Sequence, residues 1–139
     1  MKMKTSDVTV SRLIPGPAAD VFDVWLDPAC PGSPWHGAKK IIVNATVDGL
    51  FFWGHDYEGK LMPHYGRFLK LERGKLAEYT WMSNGTKGLE TTVSVSFEAR
   101  AGGTQVTIQH RGLPEDEASD HKDGWTYFLG ALEKARQRS

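Results

Sequence analysis

The sequence predicts an α+β fold in which a curved antiparallel sheet of about seven strands wraps around a long C-terminal helix. Three observations support this prediction. Residues 119–138 have the periodicity of an amphipathic helix. Most of the preceding chain alternates between apolar and polar residues and is interrupted by short turn signals, which is typical of antiparallel hairpins. One or two short helices are expected after the first strand.

The C-terminal helix is predicted from the spacing of its apolar residues. They recur at i, i+3, i+4 and i+7 and therefore share one face: Trp125, Phe128, Leu129 and Leu132. A face with two bulky aromatic rings needs a wide apolar surface, which the predicted sheet supplies. Gly124 and Gly130 are poor helix formers, so we interpret them as points of close approach to the sheet or as room left for another molecule.

The remaining elements are predicted from alternation and turn signals. A first strand over 7–14 is followed by Pro-Gly-Pro and by a short helix over 18–26. Residues 28–38 contain three prolines and two glycines and predict a helical turn or a loop. Further strands, separated by turns such as Glu58-Gly59, are predicted over 40–46, 50–57, 61–71, 76–82, 88–100 and 104–111.

Alternation also predicts which side chains share a face of the sheet. On the later strands the opposite positions are polar, so one face meets water and the helix covers the other. A curved sheet around a single helix tends to leave a gap beneath one end. The side chains predicted to share a face, strand by strand, are Phe51, Trp53 and His55, then Ala77, Tyr79 and Trp81, then Val93, Val95 and Phe97, and finally Val106, Ile108 and His110.

Length and composition limit the classes of function. The chain has 139 residues, which predicts a single domain over 1–139. Its formal net charge is zero, which argues against a nucleic-acid-binding protein and an electrostatic membrane anchor. Cys30 is the only cysteine, so no internal disulfide forms and a reducing, cytoplasmic location is expected. We expect no signal peptide and no membrane insertion, because the first residues are polar and no apolar run is long enough.

Short motifs spread along nearly the whole chain resemble a known family. They include residues 14–28, Trp35, Asp48-Gly49 before Phe51, 66–68, 79–81, 103–104, 110–114 and 121–125. In this order they resemble the START-like (Bet v-like, helix-grip) superfamily, and within it the group with homology to activators of a heat-shock chaperone ATPase. The family usually has two glycines where this chain has Asp48-Gly49.

The resemblance implies a helix-grip fold with a hydrophobic cavity between the sheet and the long helix. Relatives in this superfamily bind lipids or hormones, cyclise polyketides or stimulate a chaperone. The resemblance therefore implies the fold more specifically than the function, because one fold hosts many activities.

His55 and His64 are the candidate catalytic residues, and both lie in the hairpin over 50–71. His55 is in phase with Trp53 and Phe51, so it is predicted to face the cavity. A buried neutral imidazole there could act as a general base or orient a ligand by a hydrogen bond. We favour the simpler interpretation of a solvent-exposed hairpin tip, because the sequence fixes no partner carboxylate.

The remaining histidines and the cysteine do not predict a metal site or a nucleophile. The five histidines show neither HxH nor HExxH spacing, and no glycine-rich phosphate loop is present, so we expect no metal and no cofactor. Cys30 has only His36 as a potential activating neighbour, and we interpret it as structural or incidental. His110 and His121 flank the linker into the helix. They form either a polar pair at the cavity mouth or, as we favour, a pair that ties the linker to the sheet through backbone hydrogen bonds.

The aromatic residues are the strongest indication of function. Each ring alone is best explained as core, but the set together predicts a cavity for a small hydrophobic or aromatic ligand of lipid, polyketide or phenolic type. The predicted ligand-binding residues are Trp35, Phe51, Trp53, His55, His64, Arg67, Tyr79, Trp81, Trp125 and Phe128.

Two alternative functions remain at the level of sequence. The first is a cyclase, dehydratase or hydrolase that uses a cavity histidine as general acid or base. The second is a module that interacts with a chaperone, which we rank last because the extra N-terminal domain of the eukaryotic activators is not seen in this sequence. The sequence leaves open the identity of the ligand and whether an exposed sheet edge forms a homodimer.

Overall fold

The structure is a computed structural model that describes residues 4–137, except for the side chains of His55 and Tyr57. The described residues form a seven-stranded antiparallel sheet and two α-helices. The strands are β1 (Thr5–Ile14), β2 (Lys40–Val43), β3 (Leu50–Tyr57), β4 (Lys60–Glu72), β5 (Leu76–Ser83), β6 (Thr91–Arg100) and β7 (Gly103–Pro114). The helices are α1 (Ala18–Leu26) and α2 (Ala118–Gln137), with short 3₁₀ turns at Asn84–Thr86 and Glu115–Glu117.

The strand order is β1-β7-β6-β5-β4-β3-β2. Strands β2 to β7 form a meander of hairpins, and β1 pairs with β7, so the first strand closes beside the last. The long helix α2 lies over the inner face of the sheet and is tied to β1 by an ion pair of 2.8 Å between Arg12 and Glu133. The predicted fold class, a curved antiparallel sheet around a C-terminal helix, is confirmed.

Most element boundaries lie within two residues of the prediction, and three strand ends differ by three residues. One of them is the end of β7, which extends to Pro114 beyond the predicted end at residue 111. α1 and β3 begin and end where they were predicted. β2 ends at Val43, three residues before the predicted end at residue 46, because Thr46 N–H turns back to donate to the carbonyl of Asn44 at 2.8 Å. β6 begins at Thr91 because a capping box between Ser83 and Thr86 holds residues 84–86 in a 3₁₀ turn. Residue 138, the last of the predicted helix, lies outside the described residues.

The core lies between the inner face of the sheet and the two helices. The predicted alternation is confirmed on β5, β6 and β7, where inward residues such as Val93, Val95 and Ile108 are at most 1% exposed. The apolar face of α2 buries Trp125, Leu129 and Leu132, whereas Phe128 is half-buried. α1 adds Val21, Phe22 and Trp25 to the core.

A tightly packed group of rings, the closed cluster, occupies the middle of the core: Trp35, Phe51, Phe68 and Tyr79. Trp35 comes from the loop after α1 and covers the other three rings at centroid distances of 5.5, 6.4 and 5.7 Å. Ser33 anchors that loop, because its hydroxyl donates to the carbonyl of Trp25 at 2.8 Å. Gly66 on β4 lets the ring of Phe51 pack directly against the strand, since a Cβ there would collide with Phe51 and with the carbonyl of Thr80.

Candidate functional site

A cavity of about 260 Å³ lies between the first half of α2 and strands β3, β4 and β5. Four aromatic residues line it: Trp53 from β3, Trp81 from β5, and Trp125 and Phe128 from α2. We call this space the aromatic cavity. It occupies the position that the sequence predicts, beneath one end of the covering helix.

The four rings of the aromatic cavity form a continuous circuit. The centroid of Trp81 lies 6.2 Å from Trp53 and 5.2 Å from Trp125. Phe128 closes the circuit at 5.8 Å from Trp125 and 6.3 Å from Trp53. Each ring therefore supports its neighbours at ordinary aromatic contact distance, which holds the apolar wall in place.

The gap exists because α2 carries a glycine at this point. A Cβ built on Gly124 would have no atom within 4 Å, and Gly124 itself lines the cavity. Further along the helix, Leu129 and Leu132 are at most 1% exposed and fill the space against the sheet. Gly130 differs, since a Cβ there would meet the guanidinium of Arg12 at 3.8 Å. Of the two interpretations of the helix glycines, Gly124 fits the one in which room is left.

Two imidazoles, His64 and His121, complete the wall. His64 lies opposite Trp53 in the β3–β4 register, and its ring centroid is 4.3 Å from that indole. His121 on α2 has its Nδ1 2.9 Å from the backbone carbonyl of Glu117. Because a carbonyl only accepts, Nδ1–H is the donor, and the Nε2 of the neutral ring is left as an acceptor.

A third histidine, His110, lies behind the cavity in a saturated chain of hydrogen bonds. The indole N–H of Trp125 donates to His110 Nδ1 at 3.0 Å, which makes Nε2 the protonated nitrogen of the ring. Nε2–H then donates to Thr91 Oγ1, and Thr91 donates to the carbonyl of Trp81, both at 2.6 Å. This chain connects β5, β6 and β7 to α2 and fixes the indole of Trp125 in the cavity wall.

Burial lowers the pKa of His110 to about 3, and the neighbouring His121 acts in the same direction. His110 is therefore neutral throughout the physiological range, and it has no free nitrogen for a ligand. The sequence left two interpretations of His110 and His121: a polar pair at the cavity mouth, or a pair held by backbone hydrogen bonds. His121 matches both in part, because it lines the cavity and its Nδ1 lies at hydrogen-bonding distance from a backbone carbonyl. His110 instead forms hydrogen bonds with the side chains of Trp125 and Thr91.

The rim of the aromatic cavity is acidic. Glu117 and Asp120 line it and are at least partly exposed. Within the described side chains neither carboxylate forms an ion pair, whereas Asp116 is bridged to Lys87 at 2.6 Å. The hydrogen bond from Lys87 lowers the pKa of Asp116. The lining residues that are described include no lysine or arginine.

The structure places nine of the ten predicted ligand-binding residues in three groups. Five of them line the aromatic cavity: Trp53, His64, Trp81, Trp125 and Phe128. Three belong to the closed cluster: Trp35, Phe51 and Tyr79. Arg67 lies on the opposite face of the sheet, in a surface depression beside Leu50 and Glu90. The side chain of His55 lies outside the described part of the chain, although its backbone pairs with Met62 in the β3–β4 hairpin.

Sequence reasoning did not assign Glu117, Asp120 and Gly85 to the site, although all three line it. A signal for Glu117 was present, because residues 117, 121, 124 and 128 follow one another at i, i+4, i+7 and i+11 and so share one helical face. Gly85 carries no such signal, since its position depends on how the 3₁₀ turn after β5 folds back towards α2.

Cys30 lies outside the aromatic cavity. Its thiol is 3.5 Å from Asp27 Oδ2, and partial burial together with this carboxylate raises the pKa of Cys30. His36 does not act on it through Nδ1, because that nitrogen is 3.0 Å from the carbonyl of Pro28. A protonated thiol beside a carboxylate has no nucleophilic activation, in agreement with the structural interpretation.

The described residues contain no group of three or more His, Cys, Asp or Glu side chains that could hold a metal ion. None of the helices in the described residues combines the length and the apolar character that crossing a membrane requires.

A curved antiparallel sheet that wraps around a long C-terminal helix, with a cavity between them, defines the helix-grip class of α+β domains. Within that class the chain belongs to the family described as "Activator of Hsp90 ATPase homolog 1-like protein", whose model matches residues 15–137. The resemblance to this group of the START-like superfamily is thereby confirmed. No curated protein matches the sequence.

Solved structures with the same fold include bacterial proteins and Ara h 8.0201. Protein CV1439 from Chromobacterium violaceum is 20% identical with a TM-score of 0.78, over 94% of this chain and 96% of that one. Ara h 8.0201 is 16% identical with a TM-score of 0.78, over 98% and 100% of the two chains. CalU16 from Micromonospora echinospora is 17% identical with a TM-score of 0.70, over 92% and 74%. At these identities the likeness concerns the fold alone.

Proposed function

We propose that this protein binds a small aromatic or otherwise hydrophobic molecule in the aromatic cavity. The observation that supports this proposal is the cavity itself, which is walled by four aromatic rings at the point where Gly124 leaves α2 without a side chain. Predominantly apolar concavities with a few polar groups are the usual form of a small-molecule site. Removing apolar ligand surface from water contributes about 25 cal/mol per Å² before the cost of association.

The size of the cavity favours one part of the predicted ligand range. An apolar cavity of about 150 Å³ binds benzene, and pockets for drug-sized molecules begin at about 300 Å³. The aromatic cavity, at about 260 Å³, lies between these limits. A molecule of one or two rings therefore fits better than a long lipid chain or an extended polyketide.

One polar atom at the cavity would orient such a ligand. The Nε2 of His121 is an acceptor for a ligand hydroxyl, because the Nδ1–H of the same ring donates to the carbonyl of Glu117. A phenol, whose hydroxyl donates, matches this group. The Nε1–H of Trp81 makes no hydrogen bond with the described part of the protein, but it is buried and is not counted among the groups that contact a ligand.

Isothermal titration calorimetry with naphthol tests the proposal. The wild-type protein should bind naphthol, and Gly124→Leu should weaken binding by roughly ten-fold or more, because the new side chain fills the cavity. Gly130→Leu is the matched control on the same helix, since its Cβ would meet only the end of the Arg12 side chain. The proposal is overturned if Gly124→Leu binds as tightly as the wild type, or if a panel of one- and two-ring compounds gives no binding.

The enzymatic alternative is supported by the imidazoles at the cavity. His121 offers an acceptor nitrogen, His64 lines the same cavity, and both could act as general bases on a bound substrate. Hydrolysis of small aryl esters would test this function. The variants His64→Gln, His121→Gln and His55→Gln should then lower turnover while naphthol binding persists. Turnover that stays unchanged in the triple variant rejects acid–base catalysis by these residues.

Family membership supports a further candidate, stimulation of the Hsp90 ATPase. The measurement is the ATPase rate of purified Hsp90 with and without this protein. An unchanged rate, with no complex detected by sedimentation, rejects the chaperone function and leaves the ligand proposal unaffected.

A further inference from the structure

We propose that the preferred ligand of the aromatic cavity is a cation, of the class of aromatic amines and small aryl quaternary ammonium ions. This inference rests on the proposed function, because it assigns a charge to the molecule bound in the same cavity. It follows from the combination of an indole-rich wall with unpaired carboxylates at the rim.

The wall has the composition that attracts cations. The face of an aromatic ring carries negative potential, and tryptophan is the strongest of the common rings in binding a cation. Three indoles and one phenyl ring surround the aromatic cavity, with neighbouring centroids 5.2 to 6.3 Å apart. Among the described lining residues no lysine or arginine occupies the ring faces. A ligand cation would therefore meet several rings at once in a partly desolvated space, where the attraction is strongest.

The rim adds negative charge next to these rings. Glu117 and Asp120 line the cavity without an ion-pair partner among the described side chains, so both carboxylates remain available to a ligand. The residues from Glu115 to Asp123 include five carboxylates and one lysine. Asp116 is neutralised by Lys87, but the local balance stays strongly negative.

Carboxylates at the start of a helix also stabilise the helix dipole, and this role must be weighed against ligand binding. The dipole amounts to roughly half a positive charge at the N-terminus of α2. Glu117 and Asp120 together carry two negative charges, so they exceed the dipole even without their acidic neighbours. The excess gives the rim a negative potential, which attracts cations and repels carboxylate or phosphate ligands.

The titratable groups that face the cavity are His64, His121, Glu117 and Asp120. Protonated imidazoles would oppose a cation, so binding is measured at about pH 8, where an ordinary histidine is neutral. The two carboxylates are the only acidic side chains among the described lining residues.

A pair of isosteric probes tests the charge directly. Phenyltrimethylammonium and tert-butylbenzene have nearly the same shape, and they differ in the positive charge of the former. Calorimetric titration should show that phenyltrimethylammonium binds at least roughly ten-fold more tightly at low salt. This preference should shrink when the ionic strength rises from about 20 mM to about 500 mM, because partly exposed carboxylates are screened.

Variants at the rim locate the charge effect. Glu117→Gln with Asp120→Asn should remove most of the preference for phenyltrimethylammonium over tert-butylbenzene. Glu115→Gln with Asp123→Asn is the matched control, because it removes the same charge from the same segment at residues that do not line the cavity. The control should keep most of the preference. An equal loss in both double variants overturns the assignment to the rim.

The outcomes separate this inference from the proposed function. If tert-butylbenzene binds as tightly as phenyltrimethylammonium, the cationic preference is wrong and the cavity still binds apolar molecules. If naphthol binds but neither isosteric probe does, the cationic inference again fails alone. If naphthol and both probes all fail to bind, the proposed function fails and the inference fails with it.

Discussion

Two groups of aromatic rings lie side by side on the inner face of the sheet, yet one is solid and the other encloses a cavity. The closed cluster contains Phe51 from β3 and Tyr79 from β5. The aromatic cavity contains Trp53 and Trp81, which are two residues further along the same strands and on the same face. Residue type and strand position are nearly the same, so neither explains the difference.

The difference comes from what covers each group. Trp35, in the loop after α1, packs against Phe51 and Tyr79, and its side chain is 1% exposed. The neighbouring pair is covered instead by the first turns of α2, where Gly124 presents no side chain. Whether an aromatic ring on this sheet belongs to the core or to a binding site is therefore decided by the covering segment.

The largest predicted effect comes from uncovering the closed cluster. Trp35→Ala should lower the free energy of unfolding by about 3–5 kcal/mol, because it removes a buried ring and leaves a cavity. Urea denaturation measures the loss, and indole added to the variant should restore part of the stability by filling the new space. A loss below about 1 kcal/mol would show that the loop does not hold the cluster closed.

The next effect concerns the two glycines that shape the two regions. Gly66→Ala should cost about 3 kcal/mol, because its Cβ would collide with Phe51 and with the backbone carbonyl of Thr80. Gly124→Ala is the control and should instead stabilise by about 0.5–1 kcal/mol, since alanine is the better helix former and the space is open. Similar urea midpoints for the two variants would contradict this contrast.

A third prediction concerns His110, which supports the cavity wall. Its pKa in the folded protein is about 3, against an ordinary value of 6.5, because burial disfavours the charged ring. Between these pH values the unfolded chain binds a proton at His110 that the folded protein excludes. The contribution of neutral His110 to the free energy of unfolding is therefore fully present above pH 6.5 and is lost as the pH falls towards 3.

From pH 7 to pH 5 this group should lower the free energy of unfolding by about 2 kcal/mol. His110→Gln can still accept from Trp125 and donate to Thr91, but it does not titrate, so its stability should vary less over this range. Urea denaturation at several pH values measures the difference. Parallel pH profiles for the variant and the wild type would contradict the prediction.

The smallest effect is expected from a hydroxyl inside the closed cluster. Burial raises the pKa of Tyr79, and Trp25 opposes part of that rise. The Tyr79 hydroxyl and the Trp25 Nε1–H nevertheless do not reach hydrogen-bonding geometry with each other. Tyr79→Phe should therefore change stability by less than about 0.5 kcal/mol or increase it slightly, because no hydrogen bond is lost. A loss above about 1 kcal/mol would reveal a bond to this hydroxyl.

Much of the site was predictable from local patterns, but its limits were not. The sequence places Trp53 and Trp81 on the same face as Phe51 and Tyr79, and alternation cannot separate these pairs because their spacing is two. The position of Arg67 was within reach of sequence reasoning. The short turn after Tyr57 pairs Leu50 with Arg67, and Leu50 is predicted to lie on the outer face.

Hydrophobic periodicity and turn signals were sufficient to predict the sheet, α2 and the face that each presents, because these signals act over a few neighbouring residues. Where the inner face is filled and where it is empty depends on the packing of segments that are distant in the chain. Trp35, Glu117 and Gly124 meet the sheet only after distant segments pack, and no short-range pattern records which strand position each of them faces. Short-range sequence patterns therefore predict the fold, whereas the cavity results from long-range packing.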